Sequence, residues 1–161
     1  MPNAYIETTI PSYYVASASV NLLQAARQAS TRLWWDTGCS GLSLFISLEV
    51  LDECGRGDYA MASERHRILH GLPLLPATDA SIRLAATLIG QEIIPPKAAS
   101  DALHIALASV HEMDYLVTWN FRHIANPFLR ERLRKIISAE GFKMPVMCSP
   151  EELLQSNENN D

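Results

Sequence analysis

Short apolar runs alternate with longer segments of helical periodicity along this chain. The runs that predict strands are 4–7, 42–46, 72–75, 115–118 and 144–147, and the third of them is brief, contains Pro73 and is followed by Pro76. The segments that predict helices are about 21–36, 48–54, 58–70, 79–92, 100–112 and 126–139. Strands that alternate with helices favour an α/β fold, here a three-layer α/β/α sandwich with a mostly parallel central sheet.

Polar residues and prolines indicate where several elements begin and end. Ser47 is expected to cap the helix over 48–54, and the pair Asn126-Pro127 to start the helix that runs to 139. Pro145 in the last strand predicts a position at the sheet edge. Because no repeat and no interior linker divides the chain, we expect one domain over 1–154 and a flexible polar tail over 155–161.

Composition and charge narrow the range of functions. The 161 residues are 48% apolar and 19% charged, which is typical of one folded domain with a sizeable core. The net charge of −5 argues against sequence-independent nucleic-acid binding, because such binding depends on neutralising phosphates. RNA binding would therefore need a local basic face and a bound cation. Most charges of the basic stretch 122–135 are expected on a solvated helix face, with Arg122 the best candidate for a phosphate contact.

The three cysteines and the chain start bear on the compartment. Cys39, Cys54 and Cys148 are odd in number, far apart and without CxxC spacing, which argues against a disulfide scaffold or a zinc site. We therefore expect a cytoplasmic protein. The first residues lack a signal-peptide pattern, and no apolar run approaches the roughly 18 residues that a membrane span needs.

Four polar residues at the ends of apolar segments are the most informative for function. Glu7 closes the first strand, and Glu53 lies on the short helix after the second. Asp101 opens an alanine-rich helix, and Asn120 follows the fourth strand. In parallel sheets, strand ends and helix starts along one edge form the site. Carboxylates gathered there repel one another, and Mg²⁺ or Mn²⁺ removes that conflict. The pattern therefore predicts a metal-dependent phosphoryl-transfer site.

Each of these positions also has a purely structural explanation. Glu7 fits a solvated strand-end carboxylate, Asp101 a partner of the helix dipole, and Asn120 a turn residue. Glu49 lies one turn before Glu53 on the same helix and competes with it for the acidic role. Glu53 is preferred because it borders the apolar stripe of that helix.

Three further residues are candidates to support the site or to contact substrate. His104 lies one turn after Asp101 and is either a core histidine or a donor to the site. It is not expected to bind metal, because no histidine or cysteine lies at ligand spacing from it. The Thr118 hydroxyl and the Asn120 carbonyl oxygen are candidates to complete an oxygen shell or to hold a metal-bound water. Thr8 either supports the site or caps the following helix.

Four segments, in this order, resemble the PIN-domain family, and in particular the VapC-type toxins of bacterial toxin–antitoxin pairs. They are Tyr5-Ile6-Glu7-Thr8-Thr9, Ile46-Ser47-Leu48-Glu49-Val50-Leu51-Asp52-Glu53, Ser100-Asp101-Ala102-Leu103-His104-Ile105-Ala106 and Leu116-Val117-Thr118-Trp119-Asn120. The resemblance implies a ribonuclease that uses Mg²⁺ or Mn²⁺, cleaves single-stranded RNA to a 5′-phosphate and a 3′-hydroxyl, and is masked by a cognate antitoxin. The four acidic positions of the family fall on Glu7, Glu53, Asp101 and Asn120.

Two of these positions depart from the family pattern and open an alternative. Aspartate is usual where Glu7 stands, and frequent where Asn120 stands. The chain therefore also fits a catalytically weakened PIN scaffold that binds RNA or a partner protein. A phosphohydrolase with an aspartyl nucleophile fits less well because the first strand offers no aspartate, and neither GxxxxGK[ST] nor GxGxxG occurs.

Aromatic residues near the start of the chain are candidates for a protein interface. Tyr13, Tyr14, Trp34 and Trp35 suit contact with an antitoxin or a second copy of the chain, and we expect a homodimer. Core packing is the alternative for at least two of them.

Overall fold

Four parallel strands form the central sheet of the computed structural model, which describes residues 1–158 and side chains through residue 154. The strands are β1 (Asn3–Ile6), β2 (Ser43–Phe45), β3 (Tyr115–Val117) and β4 (Val146–Cys148). Their order across the sheet is β2-β1-β3-β4, and every neighbouring pair is parallel. The predicted α/β fold with a parallel sheet is confirmed, and β4 lies at an edge, as Pro145 directly before it indicated.

Eight α-helices flank this sheet within the described residues. They are α1 (Thr9–Val15), α2 (Leu22–Leu33), α3 (Leu48–Cys54), α4 (Tyr59–Leu69), α5 (Asp79–Gly90), α6 (Ala99–Val110), α7 (Arg130–Ala139) and α8 (Pro150–Glu158). A π-helical turn, Trp34–Gly38, continues α2, and a 3-10 turn, Pro96–Ala98, leads into α6. None of the helices in the described part combines the length and apolar character needed to cross a membrane.

Side chains at the helix starts explain where several helices begin. Ser47 accepts a hydrogen bond from the Val50 N–H and so starts α3 where the sequence predicted it. Asp58 does the same for α4 through the Met61 N–H, and Thr78 forms a capping box at α5. Each such cap satisfies a backbone donor that the first helical turn leaves unpaired.

The run 72–75 is not a strand in the structure. Only Leu74 forms an isolated parallel bridge, to Ile46. Pro73 lies within this run and Pro76 directly follows it, and neither has an N–H to donate. The ladder therefore stops after one bridge, and the sheet of the described chain has four strands rather than the five predicted.

The predicted start of α7 at Asn126-Pro127 is also wrong. Asn126 Oδ1 accepts from the Phe128 N–H at 2.9 Å, and its Nδ2 donates to the Arg122 carbonyl oxygen at 2.8 Å. The side chain therefore stabilises a turn, and α7 begins only at Arg130. Towards the carboxyl end of the chain, α8 continues to 158, so four residues of the predicted tail are helical. Residues 159–161 lie outside the described part, and their flexibility stays a prediction.

The core is built around the two central strands. Tyr5 and Ile6 of β1 and Leu116 and Val117 of β3 are fully buried. Helix α6 packs against α5 and β3, and it is buried along most of its length. Because β1 and β3 are enclosed, the residues that follow them are held at fixed positions along the carboxyl edge of the sheet.

The aromatic residues near the chain start pack mainly on this core. Trp34 is fully buried, and Tyr13 and Trp35 lie against the core with part of each ring exposed. The Tyr14 hydroxyl donates to Asp36 Oδ1 at 2.8 Å. The expectation that at least two of these rings pack in the core is confirmed, and Trp34 is not available to a partner in this conformation.

Candidate functional site

The carboxyl ends of β1 and β3 lie side by side. The strands pair Ile6 with Val117, and the Glu7 N–H continues the ladder by donating to the Val117 carbonyl oxygen at 3.1 Å. Glu7 follows β1 and Thr118 follows β3, and the Thr118 hydroxyl donates to Glu7 Oε2 at 3.1 Å. Two of the sequence-predicted site residues are thus in direct contact at the sheet edge.

Glu7 is a buried carboxylate, with 3% of the residue exposed. The Thr9 N–H donates to its two oxygens at 2.9 and 3.1 Å, and Thr118 donates a further bond. Burial raises the pKa of Glu7 above its usual value, and the charge of His104 and these hydrogen bonds offset that effect only in part. An additional cation close by would stabilise this carboxylate in its ionised form.

Glu53 is held from two directions. The Thr8 hydroxyl donates to Glu53 Oε1 at 2.8 Å, and His104 Nε2 lies 2.5 Å from the same oxygen. Burial acts to raise the pKa of Glu53, but the hydrogen bond and charge of His104, helped by Thr8 and Arg56, outweigh it and hold the pKa below its usual value. Glu53 is therefore an ionised, oriented carboxylate.

His104 is the buried partner of Glu53, and its imidazole lies within the electrostatic influence of Glu7 and Asp101. Burial acts to lower the pKa of its imidazole, but the hydrogen bond with Glu53 and the charges of Glu7, Glu53 and Asp101 outweigh it and raise the pKa above its usual value. The predicted role of donor to the site fits this contact. The alternative of a core histidine accounts for the burial of His104 but not for its contact with Glu53.

A continuous line of hydrogen bonds runs from the core to Glu53. Ser47 Oγ lies 2.7 Å from the Tyr5 hydroxyl, and that hydroxyl lies 2.7 Å from His104 Nδ1. The pKa of Tyr5 is raised, chiefly by burial, and its phenol therefore stays neutral. The line continues through His104 to Glu53 and ends at Thr8. Because both imidazole nitrogens of His104 are engaged, the ring is held in one orientation and Glu53 is held with it.

Glu53 and Asp101 face one open cleft of about 610 Å³. The cleft lies between the end of α3, the start of α6 and the turn after β3, and Asn120 and Arg122 line it as well. The remaining lining residues are Arg56, Lys97, Ala98, Ala99, Ser100 and His123. Two carboxylates and three permanent cations therefore share one open surface.

The predicted site residues divide into two groups. Glu53, Asp101, Asn120 and Arg122 line the cleft. Glu7, Thr8, His104 and Thr118 are not lining residues and join the site through the hydrogen bonds given above. No three histidine, cysteine, aspartate or glutamate side chains among the described residues are arranged as a metal centre.

Asn120 uses its side-chain oxygen to shape the turn after β3. Its Oδ1 accepts from the N–H groups of Arg122 and His123 at 3.2 and 3.0 Å, and its own N–H donates to Thr118 Oγ1 at 2.9 Å. The interpretation as a turn residue accounts for these bonds. A metal-ligand role for this oxygen would have to compete with them.

The structure separates Glu49 from Glu53. The Ser100 hydroxyl donates to Glu49 Oε1, which places Glu49 against the start of α6. Only Glu53 contacts His104 and lines the cleft. This difference supports the choice of Glu53 that its position beside the apolar stripe suggested.

Sequence reasoning missed three basic cleft residues, Arg56, Lys97 and His123. All three lie outside regular α-helices and strands, so hydrophobic periodicity gives no signal for them. A usable signal does exist, since each lies three or four positions from a predicted site residue. Basic residues close in sequence to a predicted site residue were therefore better candidates to line the cleft than those of the stretch 130–135.

Comparison of the chain with protein-family models, with curated proteins and with solved structures finds no match. The geometry and chemistry of the cleft are therefore the basis for assigning a function.

Proposed function

We propose that this chain is a PIN-like, metal-dependent endoribonuclease that hydrolyses single-stranded RNA, as the toxin of a toxin–antitoxin pair. The supporting observation is the cleft in which Glu53 and Asp101 lie among Arg56, Lys97 and Arg122. Carboxylates suit a hard divalent cation, and arginine and lysine suit a phosphodiester backbone. Both kinds of group in one open cleft favour phosphoryl transfer over binding of a neutral ligand.

The acidic residues fit Mg²⁺ or Mn²⁺ in their donor chemistry. Glu7, Glu53 and Asp101 would hold the ion, since they offer only oxygen ligands. The pKa of Glu7 is raised chiefly by its burial, and a nearby divalent cation would offset that cost of ionisation. When bound, the ion would polarise a phosphate oxygen and lower the pKa of a bound water.

The chain's own residues supply positioning and charge. Arg56 and Arg122 line the cleft and would bind the phosphates of the strand. Thr8 and His104 hold Glu53 in one orientation, so that this carboxylate does not have to reorganise during the reaction. The acidic protein would thereby hold an RNA strand through a local basic surface.

The test is cleavage of a short single-stranded RNA by the purified protein in Mn²⁺ and in EDTA. We expect cleavage only with Mn²⁺, with 5′-phosphate products. Asp101→Asn should abolish cleavage and keep the melting temperature, because residue 101 is partly exposed at the start of α6. Asp52→Asn is the matched control, since it removes the same charge from an exposed position beside Glu53.

Two results would overturn the nuclease proposal. One is cleavage by Asp101→Asn at the wild-type rate, which would indicate a contaminating nuclease or another site. The other is the absence of cleavage by folded wild-type protein across several single-stranded RNA sequences.

A non-catalytic binding module is the second candidate, and two contacts favour it. Glu53 Oε1 is already engaged by Thr8 and His104, and Asn120 Oδ1 is engaged by the turn. Both atoms would then serve the fold rather than a metal. RNA binding without cleavage, together with a melting temperature that Mn²⁺ leaves unchanged, would favour this module.

An antitoxin and a second copy of the chain are the proposed protein partners. The antitoxin follows from the family resemblance, and the partly exposed side chains of Tyr13 and Trp35 are compatible with either partner. Light scattering on the purified protein tests the homodimer, and a mass equal to one chain would contradict it.

A further inference from the structure

An aromatic cluster lies directly beside the cleft, on the turn after β3. Trp119 and Phe121 alternate along the chain with Asn120 and Arg122, which line the cleft. The two rings meet edge to face, with centroids 5.9 Å apart and planes at 69°. Trp119 is buried, whereas Phe121 is 38% exposed. The cluster therefore presents one accessible ring next to the proposed path of the RNA.

Trp119 provides a rigid wall behind that ring. Its backbone N–H donates to Thr9 Oγ1 at 2.8 Å, and its indole Nε1 donates to Thr31 Oγ1 at 2.8 Å. The Tyr13 ring packs against it with a centroid distance of 6.0 Å. Because both the backbone and the indole of Trp119 are hydrogen-bonded, Phe121 packs against a ring that is held in place.

Arg27 of α2 adds a positive charge to the cluster. Its Cζ atom lies 5.4 Å from the Trp119 ring centroid and 5.2 Å from that of Phe121. Its Nη1 reaches the Tyr13 hydroxyl only at 3.5 Å. Among the side chains that the structure describes, no carboxylate forms an ion pair with Arg27. A guanidinium that packs on aromatic rings and has no acidic partner is available to pair with an anionic ligand.

We propose that Phe121 and Arg27 form a nucleotide subsite for the single strand that the cleft binds. A base stacks on the accessible part of the Phe121 ring, and Arg27 pairs with a phosphate of the same strand. This proposal rests on the proposed function, because Arg122 in the cleft holds the neighbouring part of that strand. Unpaired bases stack on aromatic and guanidinium planes, whereas bases within a duplex are not accessible to them. The subsite accordingly selects single strands and tolerates any base.

Packing alone explains only part of the cluster. The burial of Trp119 and its bonds to Thr9 and Thr31 anchor the turn to α1 and α2. That anchoring requires neither an accessible ring at Phe121 nor an arginine without an acidic partner. Both features are the ones that a strand of nucleic acid would use.

The test compares two labelled strands by fluorescence anisotropy in EDTA, which keeps them uncut. One is a short oligouridine, and the other is the same backbone with abasic sites. Phe121→Leu should weaken oligouridine binding roughly tenfold and leave abasic binding unchanged, because a stacked base contributes about 1–3 kcal/mol. Phe121→Tyr should bind like wild type. Arg27→Gln should weaken both strands and lower the salt slope of log affinity by about 0.7.

Phe128→Leu is the control, because Phe128 is 92% exposed on the following turn. Equal affinity of wild-type protein for the two strands, or equal affinity of Phe121→Leu and wild type for oligouridine, would overturn the subsite while RNA binding by the cleft stands. Failure of the folded wild-type protein to bind either strand in EDTA would overturn the subsite, whereas the proposed function is decided separately by the cleavage assay in Mn²⁺. The strand comparison in wild type also decides the matter if Phe121→Leu does not fold.

Discussion

The imidazole of His104 sets the charge state at the centre of the site. It is buried between the Tyr5 hydroxyl and Glu53, and Glu7 and Asp101 add negative charge around it. These surroundings raise the pKa of His104 and lower that of Glu53, so the two form an ion pair over a wider pH range than free side chains would. The pair keeps Glu53 ionised while its side chain stays in place.

This arrangement predicts that stability falls as pH rises above about 6.5. A group with a raised folded-state pKa contributes stability that is complete below its unfolded pKa and is lost as pH rises through the folded one. His104 behaves in this way, and the raised pKa of Glu7 acts in the same direction from about pH 4.3 upward. Glu53 acts oppositely, since the stability from its lowered pKa is lost as pH falls through that pKa.

The melting temperature as a function of pH measures this effect. Over the range above about pH 6.5, His104→Gln should show a shallower decline than wild type, because the amide does not titrate. His70→Gln, at an exposed position, should keep the wild-type slope. Identical slopes for His104→Gln and wild type would show that His104 is not protonated in the folded state.

At the scale of elements, α6 carries two of the site residues on a buried framework. Asp101 lies in its first turn and His104 one turn later, while Ala102 and Ala106 are fully buried. The small side chains allow the helix to lie close to its neighbours, α5 and β3. The separation between α6 and α3, and with it the contact of His104 with Glu53, depends on that close packing.

Overpacking this helix should therefore weaken the fold and the site together. We expect Ala106→Leu to lower the free energy of unfolding by about 1–3 kcal/mol, because a buried position has no room for three more carbons. Ala86→Leu on the exposed face of α5 should change it by less than about 0.5 kcal/mol. Urea unfolding measures both, and equal stability of the two variants would contradict the packing account.

The elements that the sequence predicted correctly are those with a local cause. The start of α3 follows from Ser47, which caps it, and the parallel sheet follows from strands alternating with helices. The start of α7 failed because Asn126 bonds to its own turn, and local sequence does not tell a turn from a helix cap. The predicted strand at 72–75 failed because Pro73 within it and Pro76 after it leave a single bridge.

The site was predictable as a set of positions but not as a set of contacts. The strand-end rule identified Glu7 and Asn120, and burial of the helix pointed to Asp101. The bond between Glu53 and His104 joins residues 51 positions apart, so only the folded chain reveals it. The same holds for Arg27, which reaches the turn after β3 from α2.

At the scale of the whole molecule, three cations are grouped in one cleft of a protein whose net charge is negative. The chain carries a net charge of −5, yet Arg56, Lys97 and Arg122 gather at one cleft. Because the net negative charge disfavours sequence-independent binding, RNA binding would depend on this local group of cations and would weaken as salt rises. Because the carboxylates of Glu53 and Asp101 lie in the same cleft, the proposed nuclease function requires a divalent cation there.

Calorimetric titration of the purified protein with Mn²⁺ tests that requirement most directly. We expect saturable binding to wild type, loss of that binding in Asp101→Asn, and retention of it in Asp52→Asn, which removes an equal charge outside the cleft. Absence of binding to folded wild-type protein, or equal binding by wild type and Asp101→Asn, would contradict the claim that these carboxylates form a metal-dependent nuclease site.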